Sequence, residues 1–372
     1  MAKGFFSGFA VSAGVLLVGA CTGVFGQEAG YELLVRPEGL RHELGGLKVV
    51  WETKLPIKKT EELERLIILG DRIYGLSDRN YMAALNREDG GAVYAMSGSL
   101  AAVGLPIMGI GLFENELYSI LGNDLVLIDA DTGKRRVVKR FDVSTTSPVA
   151  RNGSYFYFGG TDRRMHILQS SDLVEVFQVA ADNDSEVVSI IADEEFVVFG
   201  TDAGNVISIM AGEPKLIWKF KAARGIAGQL VREGDELFFA SKDTKVYKLD
   251  IDTGELLWRR PYASGGMLER EPRVTGDVVY QHVRGKYVAA IDRKKGTGVW
   301  ELDGGVDLLT EWEGRAYVLT DDAKVEVIDN KKAELLYTLD LPGVSRYVSN
   351  TSDSKIYVAD KSGRIACLEP VK

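Results

Sequence analysis

The stretch Leu249-Asp250-Ile251-Asp252-Thr253-Gly254-Glu255-Leu256-Leu257-Trp258 carries the plan of the whole chain. An aliphatic residue and a carboxylate close one extended segment. Asp, Thr and Gly then form a tight connection, because an Asp side chain accepts backbone N–H bonds and Gly tolerates left-handed backbone. A short apolar run leads to the aromatic residue, predicting a strand that ends at Trp258. The aliphatic-plus-Asp-like pair recurs at Leu85-Asn86, Ile128-Asp129, Leu168-Gln169, Ile209-Met210, Leu249-Asp250, Ile291-Asp292, Ile328-Asp329 and Leu368-Glu369. Successive pairs are separated by 37 to 43 residues. Eight copies at a near-constant spacing are the mark of a repeat architecture.

Each copy follows one grammar. The fifth reads as a strand from Gly228, a turn at Glu233-Gly234-Asp235, a strand Glu236–Ala240, a second turn, a strand Lys245–Leu249, and the connection into the fourth strand. β-branched and aromatic runs between Gly/Asp turns are strand signals. Four strands per repeat predict an all-β, eight-bladed β-propeller of four-stranded blades, each too small to bury its own faces. Eight residues after each pair stands Tyr94, Val137, Phe177, Trp218, Trp258, Trp300 or Tyr337, six of the seven aromatic. That position suits packing between neighbouring blades. The eighth copy stops after Pro370 without a fourth strand, whereas Leu47–Leu55, carrying Trp51, lies unassigned at the other end. It is expected to complete the last blade, leaving no exposed sheet edge there.

At this point the repeat resembles a known family. The decapeptide ending at Trp258 looks like the tryptophan-docking repeat of the quinoprotein (PQQ-like) propellers, with further copies at Ile128–Val137 and Ile291–Trp300. Eight such blades, a lipobox-like leader and an N-terminal closing strand are together similar to the BamB family of outer-membrane assembly lipoproteins, over residues 47–370. The resemblance implies a scaffold that helps a barrel-assembly complex handle β-barrel clients at the periplasmic face of the outer membrane. That role follows from the resemblance alone.

The leader fits an exported protein. Only Lys3 is charged before Glu28, and Val15-Leu16-Leu17-Val18 forms an apolar centre. Residues 1–20 read as a signal peptide of the lipoprotein type. Val18-Gly19-Ala20-Cys21 resembles a lipobox, making Cys21 the expected lipidation site and 21–46 a tether ahead of a propeller over 47–372. Cleavage after Gly26, giving a soluble periplasmic or secreted protein, and an uncleaved anchor remain the other two readings. Cys367 is then the one cysteine of the body, so no disulfide can form within it. Among the 372 residues, 45% are apolar and 27% charged, which supplies a core and excludes general disorder. Glycine is abundant at 41 against 9 prolines, as a turn-rich chain requires. A net charge of −9 argues against nucleic acid as a partner.

Little in the sequence points to catalysis. No Gly-x-Ser-x-Gly elbow occurs, and His42, His166 and His282 have no metal-ligand spacing. The resemblance raises a quinone cofactor, but those enzymes carry an adjacent cysteine pair that this body lacks, so no cofactor is expected. Asp182, Asp184 and Glu186 lack the glycine and spacing of a calcium loop, so no metal is expected. A protein-binding surface is the stronger expectation. Residues 259–270, taken as the longest connection between repeats, hold Arg259, Arg260, Tyr262, Met267, Leu268 and Arg270, with Met267 and Leu268 expected exposed. Arg224, one repeat earlier, is expected on the same face. Arg and Tyr together are typical of interaction hot spots. The rival readings are an exported propeller that binds a polysaccharide or another envelope protein, and a small quinoprotein-like enzyme.

Overall fold

The computed structural model describes residues 16–17 and 46–371, apart from 97, 106 and 342. Cys21, the signal peptide apart from Leu16–Leu17, and the tether apart from Gly46 lie outside the described residues. The described residues form eight antiparallel sheets in sequence order, a β-propeller. Seven have four strands, and blade 1 gains a two-residue fifth, Leu16–Leu17, beside Leu63–Leu69. Blade 5 runs Ile226–Glu233, Glu236–Ser241, Lys245–Asp250 and Tyr262–Ala263. The two middle strands of each blade are buried on both faces, which is why they read as near-continuous apolar runs. The apolar clusters straddle blades: one joins Val198, Val206 and Trp218 of blade 4 to Leu237, Phe239 and Leu249 of blade 5. The core therefore lies between blades rather than within any one of them.

The ring closes as the unassigned strand requires. Leu47–Lys54 pairs antiparallel with Arg364–Pro370, setting Val49 opposite Leu368 and Trp51 opposite Cys367. No turn links these strands, so the ends meet directly: the Val371 amide donates to the Gly46 carbonyl at 2.9 Å. Gly46 has φ +116, and a Cβ there would lie 2.7 Å from the Tyr337 hydroxyl of blade 7.

Elsewhere the third and fourth strands are joined by the turn that begins at the recurring acid. In blade 5 the Asp250 Oδ1 accepts N–H bonds from Asp252 and Thr253, and the Gly254 amide donates to the Asp250 carbonyl at 2.9 Å. Gly254 has φ +72, and a Cβ there would stand 2.5 Å from the Trp218 indole of the preceding blade. Gly90, Gly133 and Gly296 repeat this contact with Trp51, Tyr94 and Trp258. The indole nitrogens donate into the same turns: Trp51 to the Arg87 carbonyl at 3.2 Å, Trp218 to Ile251 at 2.8 Å, Trp258 to Arg293 at 2.9 Å, and Trp300 to the Asn330 Oδ1 at 2.9 Å. Phe177 is half-buried and packs on the core shared by blades 3 and 4. Leu173 and Ala333 hold the glycine position at φ +59 and +57, so the turn admits other residues.

A bulge aims these side chains. In every blade but the fifth, the outer strand slips by one residue just before the docking position, leaving Val50, Val93, Arg136, Val176, Ile217, Val299 or Leu336 unpaired. A bulge sharpens local twist and disrupts an edge that could otherwise pair with another chain. Blade 5 departs from the expectation. Leu257 still donates to the Lys248 carbonyl, but the strand breaks at Trp258 and resumes only at Tyr262. Trp258 therefore sits in the break rather than ending a strand, although its indole docks as the others do. Pro261 cannot donate a ladder bond and sits in this break.

Gly254→Ala is expected to destabilise the protein by about 2–5 kcal/mol, combining left-handed strain with the clash on Trp218. Gly314→Ala, with similar φ but open space around it, is expected to cost only about 1–2 kcal/mol. Urea unfolding midpoints compare the two, and equal shifts would refute the docking contact.

Candidate interaction surface

The two faces of the ring are built differently. One carries the hairpin turns between first and second and between third and fourth strands. The other carries the turns between second and third strands together with the crossovers to the next blade. Backbone bonds tie crossovers to turns there: Lys242 N–H to Gly225 O at 2.8 Å, and Arg284 N–H to Met267 O at 2.9 Å.

This geometry divides the predicted patch. Arg224 is exposed on the crossover face, where its carbonyl accepts from the Ser241 hydroxyl at 3.0 Å. Met267 is on the same face, one blade further, and 55% exposed. The Arg284 guanidinium lies 3.8 Å from its sulfur and 2.6 Å from Glu269. Leu268 corrects the sequence reading: it is 1% exposed and packs with Val274 and Val279, because the crossover turns one side chain down between blades. Tyr262 belongs to the outer strand of blade 5, not to a crossover. Its hydroxyl donates to Glu301 at 3.2 Å, and burial with that carboxylate nearby holds the phenol above its ordinary value. Arg259 and Arg260 are exposed in the strand break, between Leu257, which bonds to Lys248, and Tyr262, which pairs with Val246, so they sit on the outer edge of the blade rather than in a crossover. Arg270 is half-buried, near the Val306 carbonyl at 3.4 Å.

The longest crossover is residues 96–110, between blades 1 and 2, and the sequence reading passed over it. It contains no charged residue. The Asn80 side chain donates to the Ala102 and Leu105 carbonyls at 2.9 and 3.1 Å, fixing a turn whose tip bears Val103, 66% exposed. The missing charges were the available signal.

Buried charge collects beside the inner strands of blades 6 and 7. Arg273 forms a two-pronged pair with Asp307 at 3.1 and 2.9 Å and also meets Glu271 at 2.8 Å. Burial, reinforced by Arg270, lowers the His282 imidazole to about 4. His166 lies between Glu175 at 2.8 Å and Asp162 at 3.1 Å and stacks on Phe158. Of the acids weighed as calcium ligands, Asp182 pairs with Lys219 and Asp184 with Arg163. Among the described residues, no group of three His, Cys, Asp or Glu side chains could hold a metal. Burial pushes the Cys367 thiol up to about 12.

Comparisons with known proteins agree with the repeat. Residues 203–312, from the third strand of blade 4 to the first of blade 7, match the family model described as outer membrane protein assembly factor BamB. The fold is similar to the crystal structure of BamB from Moraxella catarrhalis, with a TM-score of 0.66 at 16% identity, covering 87% of this chain and 97% of that one. It is likewise similar to the computationally designed Ika8 protein, with a TM-score of 0.65 at 14% identity, covering 87% and 99%. At these identities the structural likeness speaks for the fold. No curated protein matches this chain in sequence.

Leu268→Ala is expected to cost about 2–5 kcal/mol and Met267→Ala less than about 0.5 kcal/mol, by urea unfolding. His282 adds a pH dependence. The unfolded imidazole takes its proton near pH 6.5 and the folded one only near 4, so the unfolded chain binds more protons between them. Stability should therefore fall as pH drops through that window, and His282→Gln should flatten the fall.

Proposed function

We propose that this chain, which resembles the BamB propellers in repeat and fold, is a non-enzymatic exported scaffold that works in outer-membrane β-barrel assembly. The observation that carries the reading is the family match over blades 4 to 7. Those blades include the crossovers bearing Arg224 and Met267. A closed ring offers a partner a preorganised surface, so little ordering entropy is lost on binding. Crossovers can vary without disturbing the strands beneath them. In this reading the lipid anchor is Cys21, and the tether leaves the ring at Gly46, on the hairpin-turn face. Arg224 and Met267 form the contact surface to an envelope partner, and Arg259 and Arg260 lie apart from it.

The test is affinity capture of the tagged protein from solubilised envelopes, followed by mass spectrometry. A barrel-assembly protein should co-purify in near-stoichiometric amount, and the double variant Arg224→Glu, Met267→Glu should reduce its recovery at least tenfold while Arg259→Glu does not. Recovery of glycan-processing proteins alone, or of no protein, would refute the assembly role. Cys21→Ser should move the protein from the membrane to the soluble fraction, and continued membrane retention would contradict lipidation as the anchor.

A further inference from the structure

Three polar residues stand at one height on adjacent inner strands around the central axis. Asp307 pairs with Leu319 in blade 7, Arg346 with Ala359 in blade 8, and Arg65 with Leu76 in blade 1. Each partner directly precedes the residue that opens the next turn. Those residues are Thr320, Asp360 and Ser77, whose carbonyls accept the amides of Ala323, Gly363 and Asn80. The inner strands of blades 8 and 1 also pack side by side.

The charges at this height do not balance. Asp307 is already matched by Arg273, which also holds Glu271. Arg346 donates from Nη1 only to the carbonyl of its neighbour Ser345, at 2.8 Å. Its Nε is buried without a hydrogen-bond partner, as is the Ser345 hydroxyl. Arg65 donates to the Ile107 carbonyl at 3.3 Å. Burial lowers its guanidinium from the ordinary value, with the adjacent Glu64 opposing that shift. Arg65 and Arg346 are both half-buried. A guanidinium partly withdrawn from water without a carboxylate is costly, and so is a buried donor without an acceptor. A ligand carrying several oxygen acceptors and more than one negative charge answers both deficits.

We propose that the channel wall of blades 8 and 1 binds a small polyvalent oxyanion, a phosphate or a di- or tricarboxylate, held between Arg65 and Arg346 with Ser345 as a further donor. The site lies at the crossover end of the channel, on blades other than those that bear Arg224 and Met267, and does not depend on the assembly role. A rigid wall presents the two cations in advance, and the ligand supplies the missing countercharge.

Isothermal titration calorimetry of the full chain with inorganic phosphate and with citrate tests this and separates the two chemistries. Saturable binding of at least one anion is expected, weakened at least tenfold in Arg346→Gln and in Arg65→Gln and by added salt. In anion-free buffer Arg346→Gln should melt at or above the wild-type temperature, since it removes a half-buried charge that has no carboxylate partner. Absence of saturable heat with both anions, or wild-type affinity in both variants, would overturn the proposal. So would a large loss of thermal stability in anion-free Arg346→Gln, which would make the guanidinium a structural group.

Discussion

The structure depends on one contact made repeatedly: an aromatic side chain on the outer strand of one blade laid over a left-handed residue in the next blade's turn. A four-stranded blade cannot bury both of its faces alone, so stability is shared through junctions. At four junctions an indole N–H also enters the turn of the following blade. The glycine removes the one atom that would obstruct the ring, and the bulge turns the ring toward it. Turn, bulge and aromatic residue are therefore parts of one device, and its spacing along the chain is the forty-residue period.

Closure is where this device is completed by different means. Blade 8 has no turn between its last two strands, because they come from opposite ends of the chain. Gly46 stands against Tyr337, and the backbone bond from Val371 substitutes for the covalent link. On the other side of blade 8, Trp51 donates to the Arg87 carbonyl. The Arg87 side chain reaches back to Asn350, Ser352, Asp353 and Tyr357. One residue thus fastens the closing blade through both its backbone and its side chain. No disulfide is needed, and Cys367 stays a buried apolar-like residue.

The repeat, the blade number and the closing strand were legible because they rest on periodic apolar burial and on Asp–Gly turns, which are local chemistry. The bulges were not, since an unpaired Val or Ile reads like any other strand residue. The break after Trp258 was hidden for the same reason, and it moved Tyr262 from a connection into a strand. Leu268 was misjudged because a crossover between packed blades buries alternate side chains without a strand's period to announce it. Arg65, Arg346 and Asp307 are distant in sequence and come to one height only when the inner strands are set side by side in the ring. The candidate surface was therefore only partly readable: Arg224 and Met267 share a face, whereas Arg259 and Arg260 do not join them.

Amide hydrogen exchange along the closing strand tests the central claim most directly. If the ring is held shut by Leu47–Lys54, the amides of this strand that bond to Arg364–Pro370 should exchange as slowly as those of Lys245–Asp250 within blade 5. Exchange of the Trp51–Thr53 region within seconds, while the other blades stay protected, would mean an open ring and would contradict the account.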